Sequence, residues 1–282
     1  MKTNASDLAT TAIAPVIWGS TYLVTTEFLT GFSPITVAML RALPAGLILM
    51  MIVRKLPSGI WWLRASVLGA LNISIFLGML FVAAYRLPGG VAGTVLSSQP
   101  LIVVFLSSFL LSSPVRPSNI IGALVGMGGV ALLVLTPSAA LDAIGVAAGL
   151  AGATSMALGS VLARKWRPPV SPLIFTAWQL TAGGLLLLPA VLLTGQPIPV
   201  PTIANVLGLA WLGLIGAALT YALWFRGIGR LPPSVVSSLL FLSPLTAVLL
   251  GWSLLGQTLT VLQIVGIALV IGSIWLSQRT KT

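Results

Sequence analysis

Few side chains in this sequence could do chemistry, and most of them sit inside long apolar runs. Arg41 lies about eight residues into such a run, roughly 12 Å along a helix axis at about 1.5 Å per residue. A guanidinium at that depth is costly in lipid and ordinarily faces a cavity or a partner. It could anchor the carboxylate of an amino acid or organic acid. It could equally snorkel to the outer interface or pair structurally with Glu27. Glu27 itself, near a span end, reads as a solvated interfacial group, with proton coupling as the alternative. The in-span polar residues are Asn72, Ser97, Gln99, Gln179, Tyr221 and Ser243. Hydroxyls in membrane helices often bond to their own backbone or to a neighbouring helix. Gln99 precedes Pro100, and Ser243 precedes Pro244. A proline removes a donor and frees a carbonyl one turn earlier. Both places should therefore be polar and bendable, with Gln99 and Ser243 lining a cavity and the two prolines acting as gates. Trp18, Tyr22, Phe76, Trp178, Tyr221 and Trp224 are open between cargo contact and packing or lipid contact. Trp61 and Trp62 look like an interfacial belt.

The absent residue types narrow the chemistry. The sequence has no cysteine and no histidine, which excludes disulfides, thiolate catalysis and His-ligated metal. No paired intramembrane carboxylates stand ready for acid–base work, and no Walker-type loop offers ATP coupling. Neither a metal nor another cofactor is expected, and an enzyme is the weakest reading.

The elements that must position these residues are membrane helices. The chain is 57% hydrophobic and only 6% charged, with a mean hydropathy of +1.11. A soluble domain carries about 25% charged residues, so this is an integral membrane protein in a lipid bilayer. Ten apolar segments, at 8–27, 33–53, 62–84, 91–111, 119–136, 143–163, 171–194, 204–226, 234–254 and 260–277, match the roughly 20 residues that a spanning helix needs. Helices are required because lipid leaves open sheet edges unsatisfied. The segment containing Lys2 and Asp7 leads into a span with no convincing cleavage site, so no cleavable signal peptide is expected. The net charge of +11 would suggest nucleic acid in a soluble protein, but here its placement orients the chain, and no nucleic-acid partner is expected. With a cytoplasmic N-terminus, Lys2, Arg54, Lys55, Arg64, Arg116, Arg164, Lys165, Arg167, Arg226, Arg230, Arg279 and Lys281 all fall inside. Arg86, Glu27 and Asp142 fall outside. That bias places both termini in the cytoplasm.

The chain also repeats itself. Arg86-Leu87-Pro88 recurs as Arg230-Leu231-Pro232, an offset of 144. The same offset carries Pro100 onto Pro244, Gly122 onto Gly266 and Gly128 onto Gly272. Farther forward, Trp18-Gly19-Ser20 corresponds to Leu158-Gly159-Ser160. Ser33-Pro34 corresponds to Ser171-Pro172, which carries Arg41 onto Gln179 and Gly46 onto Gly184. The reading is two five-helix units, residues 1–137 and 138–282, from an ancient duplication. Five is odd, so the second unit enters from the other side and the repeats are inverted. Inverted repeats are a common construction of secondary transporters, with the substrate near the midplane between them. Gly122-x-x-x-Gly126 and Gly145-x-x-x-Gly149 read as close-packing faces.

The opening Ala14-Pro15-Val16-Ile17-Trp18-Gly19-Ser20 resembles the drug/metabolite transporter superfamily in its ten-helix EamA-type branch. So do the Arg-Leu-Pro boundary before a proline-containing fourth helix and the Gly-rich closing helix of each half. The resemblance covers essentially the whole chain. It implies helices one to four and six to nine around a central cavity, with five and ten packed peripherally. It also implies export of amino acids or small metabolites across a bacterial inner membrane. A multidrug or other metabolite exporter of the same fold is the alternative, and a non-transporting membrane subunit a further one. A monomer is compatible with the sequence.

Overall fold

The computed structural model describes residues 5–87, 89–134, 142–196 and 198–278. Among them ten helices are long and apolar enough to cross a membrane. They are α1 Ala5–Phe28, α2 Pro34–Val53, α3 Trp61–Leu80, α4 Ala92–Leu111, α5 Pro117–Val134, α6 Ala143–Trp166, α7 Pro172–Thr194, α8 Ile203–Arg230, α9 Pro233–Leu254 and α10 Val261–Gln278. The helix of α3 runs on as far as Arg86. No strand occurs among the described residues. The boundary expected at 137 and 138 lies outside them.

Local chemistry sets the helix starts. Ser33 and Ser171 cap α2 and α7 through their side chains, which accept from the N–H of Thr36 and Ile174, and a proline follows each. An oxygen at the cap satisfies an orphan donor, and proline in the first turn loses no bond. Thr202 and Asn205 form a reciprocal capping box at the start of α8. Outward-facing side chains such as Phe109 and Leu193 are almost fully exposed, as lipid requires. Trp62 is exposed, in keeping with an interfacial belt, but Trp61 is not. It is turned inward against Phe175 and Trp178, with ring centroids 6.2 Å away in each case.

Close packing concentrates at small residues, because lipid gives helices no hydrophobic reason to associate. Helices α2 and α7 run antiparallel. A Cβ on Gly46 would stand 2.5 Å from the Thr181 nitrogen, and one on Gly184 2.6 Å from Leu43 Cα. The offset that carries Arg41 onto Gln179 also carries Gly46 onto Gly184 and Leu43 onto Thr181, so the two contacts are counterparts. Helices α5 and α10 repeat the pattern. Gly129 faces the Gly266 carbonyl, Gly122 faces that of Ser273, and the offset of 144 exchanges the pairs. Gly126 leaves room for the Phe241 ring, Gly145 for Leu87 and Gly149 for Val95, so both Gly-x-x-x-Gly faces are close-packed.

Four spans depart from regular α-helix, again in repeat-related pairs. Helix α3 is π-helical over Ala70–Ile75 and α8 over Trp211–Leu219. Helix α4 loosens into a turn at Ser97 and Ser98, immediately before Gln99 and Pro100. Helix α9 tightens to a 3₁₀ turn at Leu239–Phe241, just before Pro244. The main buried cluster draws on α1, α2, α3, α6, α7, α8 and α9, and also on α5 through Val130 and Leu133 and on α10 through Val270 and Ile274, with Trp178, Trp224 and Phe241 among its largest members.

Candidate functional site

The site begins at a backbone oxygen. In a regular α-helix the carbonyl of Gly216 would accept from the N–H of Thr220. Within the π-helical stretch that N–H bonds instead to the carbonyls of Ala217 and Ile215. The Gly216 carbonyl then becomes an acceptor for side chains. Arg41 Nη2 donates to it at 2.9 Å, Trp18 Nε1 at 3.0 Å and Thr220 Oγ1 at 2.8 Å. Trp18 Nε1 also lies 2.9 Å from Thr220 Oγ1. A cation from α2, an indole from α1 and a hydroxyl from α8 thus converge on one oxygen.

Among the described residues no acid neutralises Arg41. The chain holds three acidic residues. Asp7 pairs with Arg226 at 2.7 Å and Arg230 at 3.2 Å. Asp142 pairs with Arg86 at 3.7 Å. Glu27 is exposed, and no ion pair between it and Arg41 occurs among the described residues. Arg41 is therefore a half-buried cation held on a carbonyl.

Aromatic rings lie along α8 beside this point. Trp18 is 5.2 Å from Tyr221 and 5.3 Å from Trp224 between centroids. Phe225 stacks on Tyr221 at 5.8 Å and meets Phe175 edge-on at 5.1 Å. Past the rings lies a cleft lined by Gln99 of α4, Ser160 and Arg164 of α6, Trp224 and Ile228 of α8, and Ser237 of α9. Arg164 Nη1 donates to the carbonyls of Ile228 and Leu231 at the end of α8.

The structure brings together Arg41, Trp18 and Tyr221 from the residues singled out in the sequence. Asn72 and Gln179 form a separate buried joint, with Asn72 Nδ2 donating to Gln179 Oε1 at 2.8 Å. The offsets carry Gln179 back to Arg41 and Asn72 onto Gly216. The amide pair is the counterpart of the cation–carbonyl joint. Gln99 lines the cleft. Ser243 lies at the α1–α9 contact, its carbonyl 2.6 Å from where a Cβ on Gly19 would stand. Trp178 sits near the bundle end and donates Nε1 to the Lys55 carbonyl at 2.7 Å. Only six positions separate it from the start of α7, and that end packs antiparallel to the end of α2. Phe76 belongs to the α3–α6 contact, its carbonyl 3.5 Å from a Cβ placed on Gly152. The side chain of Tyr22 lies outside the described residues. Pro100 is buried and Pro244 half-buried, each just past its irregular turn.

Sequence reasoning missed Gly216, Thr220, Ser160 and Arg164. The available signal was spacing by four, of Thr220, Trp224 and Ile228 along α8 and of Ser160 and Arg164 along α6, which puts each set on one helix face; nothing of that kind marked the carbonyl of Gly216.

The chain matches the EamA-like transporter family over residues 8–135 and again over 143–278. Protein PecM of Dickeya dadantii is 45% identical over 268 residues, covering 94% of this chain and 90% of PecM. The uncharacterized inner membrane transporter YedA of Escherichia coli is 27% identical, with 94% of this chain and 88% of YedA covered. A solved crystal structure, at 20% identity and a TM-score of 0.85, covers 99% of this chain and 100% of its own, and shows the same fold. Matched in both halves and along almost its entire length, the chain belongs to the EamA-like transporter family, within the drug/metabolite transporter superfamily.

Proposed function

We propose that this protein is a secondary transporter that exports amino acids or similar small metabolites across the bacterial inner membrane by alternating access. The observation that carries the reading is Arg41. A transporter of carboxylates gains from a cation inside its spans that the protein itself does not neutralise, so that a cargo carboxylate can do so. Each acid of the chain is either paired elsewhere or exposed at a helix end. A membrane subunit serving only as packing would gain nothing from burying such a charge. Trp18 and Tyr221 stand beside Arg41 to receive the apolar part of a cargo.

The exchangeable contacts of α2 with α7, and of α5 with α10, support two inverted five-helix units. Irregular turns before Pro100 and Pro244 give each unit a place to bend. Two relatives that align over nearly the whole chain bear the name inner membrane transporter or transporter, which supports the membrane. The aromatic rings also favour a second reading, export of a flat apolar compound, which would have no use for Arg41.

Counterflow decides between the two. Purified protein in liposomes preloaded with unlabelled amino acids should accumulate at least one radiolabelled amino acid above protein-free liposomes. Accumulation of uncharged aromatic compounds alone, with no amino acid or carboxylate metabolite exchanged, would transfer support to the second reading.

A further inference from the structure

The cleft past the aromatic rings has unmet polar groups and no acid. Gln99 Nε2, Ser160 Oγ and Trp224 Nε1 are buried there without hydrogen-bond partners. Gln99 is 5% exposed, Ser160 9% and Trp224 1%, so bulk water does not serve them. Buried polar atoms are almost always paired, and leaving one unmet carries a penalty. Two of the three are N–H donors, and the third is a hydroxyl that can donate. The guanidinium of Arg164 forms part of the same wall, with Nη1 engaged by the Ile228 and Leu231 carbonyls. Asp7, the acid that binds the cationic end of α8, is already held by Arg226 and Arg230. Four donors from three helices converging on an acid-free cleft are complementary to an oxyanion.

We infer that this cleft is a second binding station, for a small carboxylate, separated by the Trp18–Tyr221–Trp224 rings from the station at Arg41. Gly216 and Ile228 are twelve positions apart on α8, about 18 Å at about 1.5 Å per residue. No single small cargo spans that distance, so a carboxylate passes from one guanidinium to the other as the rings part. The inference rests on the reading of a carboxylate cargo, but its test does not require transport.

The natural absence of cysteine permits a charge-selective labelling test in detergent, where both faces are open. Ser160→Cys on α6 and Ser237→Cys on α9, both in the cleft lining, are each reacted with an anionic sulfonatoethyl methanethiosulfonate and a cationic trimethylammonioethyl analogue. Rates are normalised to those of a free thiol. The anionic reagent should react at least about tenfold faster, tenfold corresponding to about 1.4 kcal/mol, and millimolar sodium benzoate should slow it. Adding Arg164→Gln should bring the ratio close to one, whereas Arg164→Lys should keep most of it. Equal rates, a cationic preference, or no reaction at either position would overturn the station. A protein that shows the anionic preference but exchanges no amino acid or carboxylate metabolite in liposomes would overturn the proposed function alone. One that exchanges amino acids without the preference would overturn only the station.

Discussion

The carbonyl of Gly216 does what a side chain ordinarily does in a binding site: it orients a cation without discharging it. A carboxylate in that place would form a buried ion pair and, under the proposed function, would leave Arg41 nothing to offer a cargo. The neutral counterpart at Asn72 and Gln179 joins one amide directly to the other and leaves Asn72 Oδ1 and Gln179 Nε2 without partners. Both residues are almost fully buried, and the joint depends on a missing methyl, since a Cβ on Gly159 would lie 2.2 Å from Asn72 Oδ1. Gly159→Ala must therefore push the amides apart. We expect it to cost about 1–3 kcal/mol, the range for leaving a buried polar group unpaired. Gly78→Ala, with open space around it, should cost little. Unfolding titrations in mixed micelles would measure both, and equal losses would refute the packing account. Arg41 was legible in the sequence because charge and depth are both readable there. Gly216 was not, because the freedom of its carbonyl comes from π-helical register, which has no residue signature.

At the level of elements, the irregular turns and the tight crossings have different work. Helices α4 and α9 break regularity immediately before Pro100 and Pro244, and those prolines were visible in the sequence through the repeat. If they act as two hinges in oppositely oriented units, Pro100→Ala and Pro244→Ala each restore a backbone donor and stiffen one side. The expected outcome is a resting state biased in opposite directions, read as opposite changes in labelling of a cavity cysteine from the two faces. Shifts in the same direction would make the prolines packing features and place the gate elsewhere. The glycines were less legible. Gly128 and Gly272 match in the repeat, yet nothing lies within 4 Å of a Cβ at either, whereas one on Gly266 would stand 2.7 Å from the Gly129 carbonyl. Repetition reports ancestry, and only the crossing geometry reports contact. Gly272→Ala should therefore be neutral or stabilising by up to about 1 kcal/mol through helix propensity. Gly266→Ala should lower stability markedly in the same unfolding titration, and the reverse ranking would contradict the α5–α10 crossing.

For the whole molecule, composition and span length were enough to give ten helices, because lipid permits few alternatives. Tertiary pairing was not, since apolar faces of similar composition do not specify neighbours. The duplication and the loop charges together argue for both termini in the cytoplasm. A cysteine at exposed Gln196 should then react with an impermeant reagent from outside intact cells, and one at exposed Pro169 only after permeabilisation. The reversed pattern would invert the orientation. The account as a whole turns on whether a cargo carboxylate meets Arg41. The direct measurement is counterflow in liposomes with an exchanged amino acid and its carboxamide analogue, using wild-type protein, Arg41→Lys and Arg41→Ala. A charge-assisted bond contributes about 1.5–3 kcal/mol, so Arg41→Ala should weaken apparent affinity for the acid roughly tenfold to a hundredfold. Arg41→Lys should retain part of it, and the amide should be nearly indifferent. Equal loss for acid and amide in protein that remains folded would contradict the account.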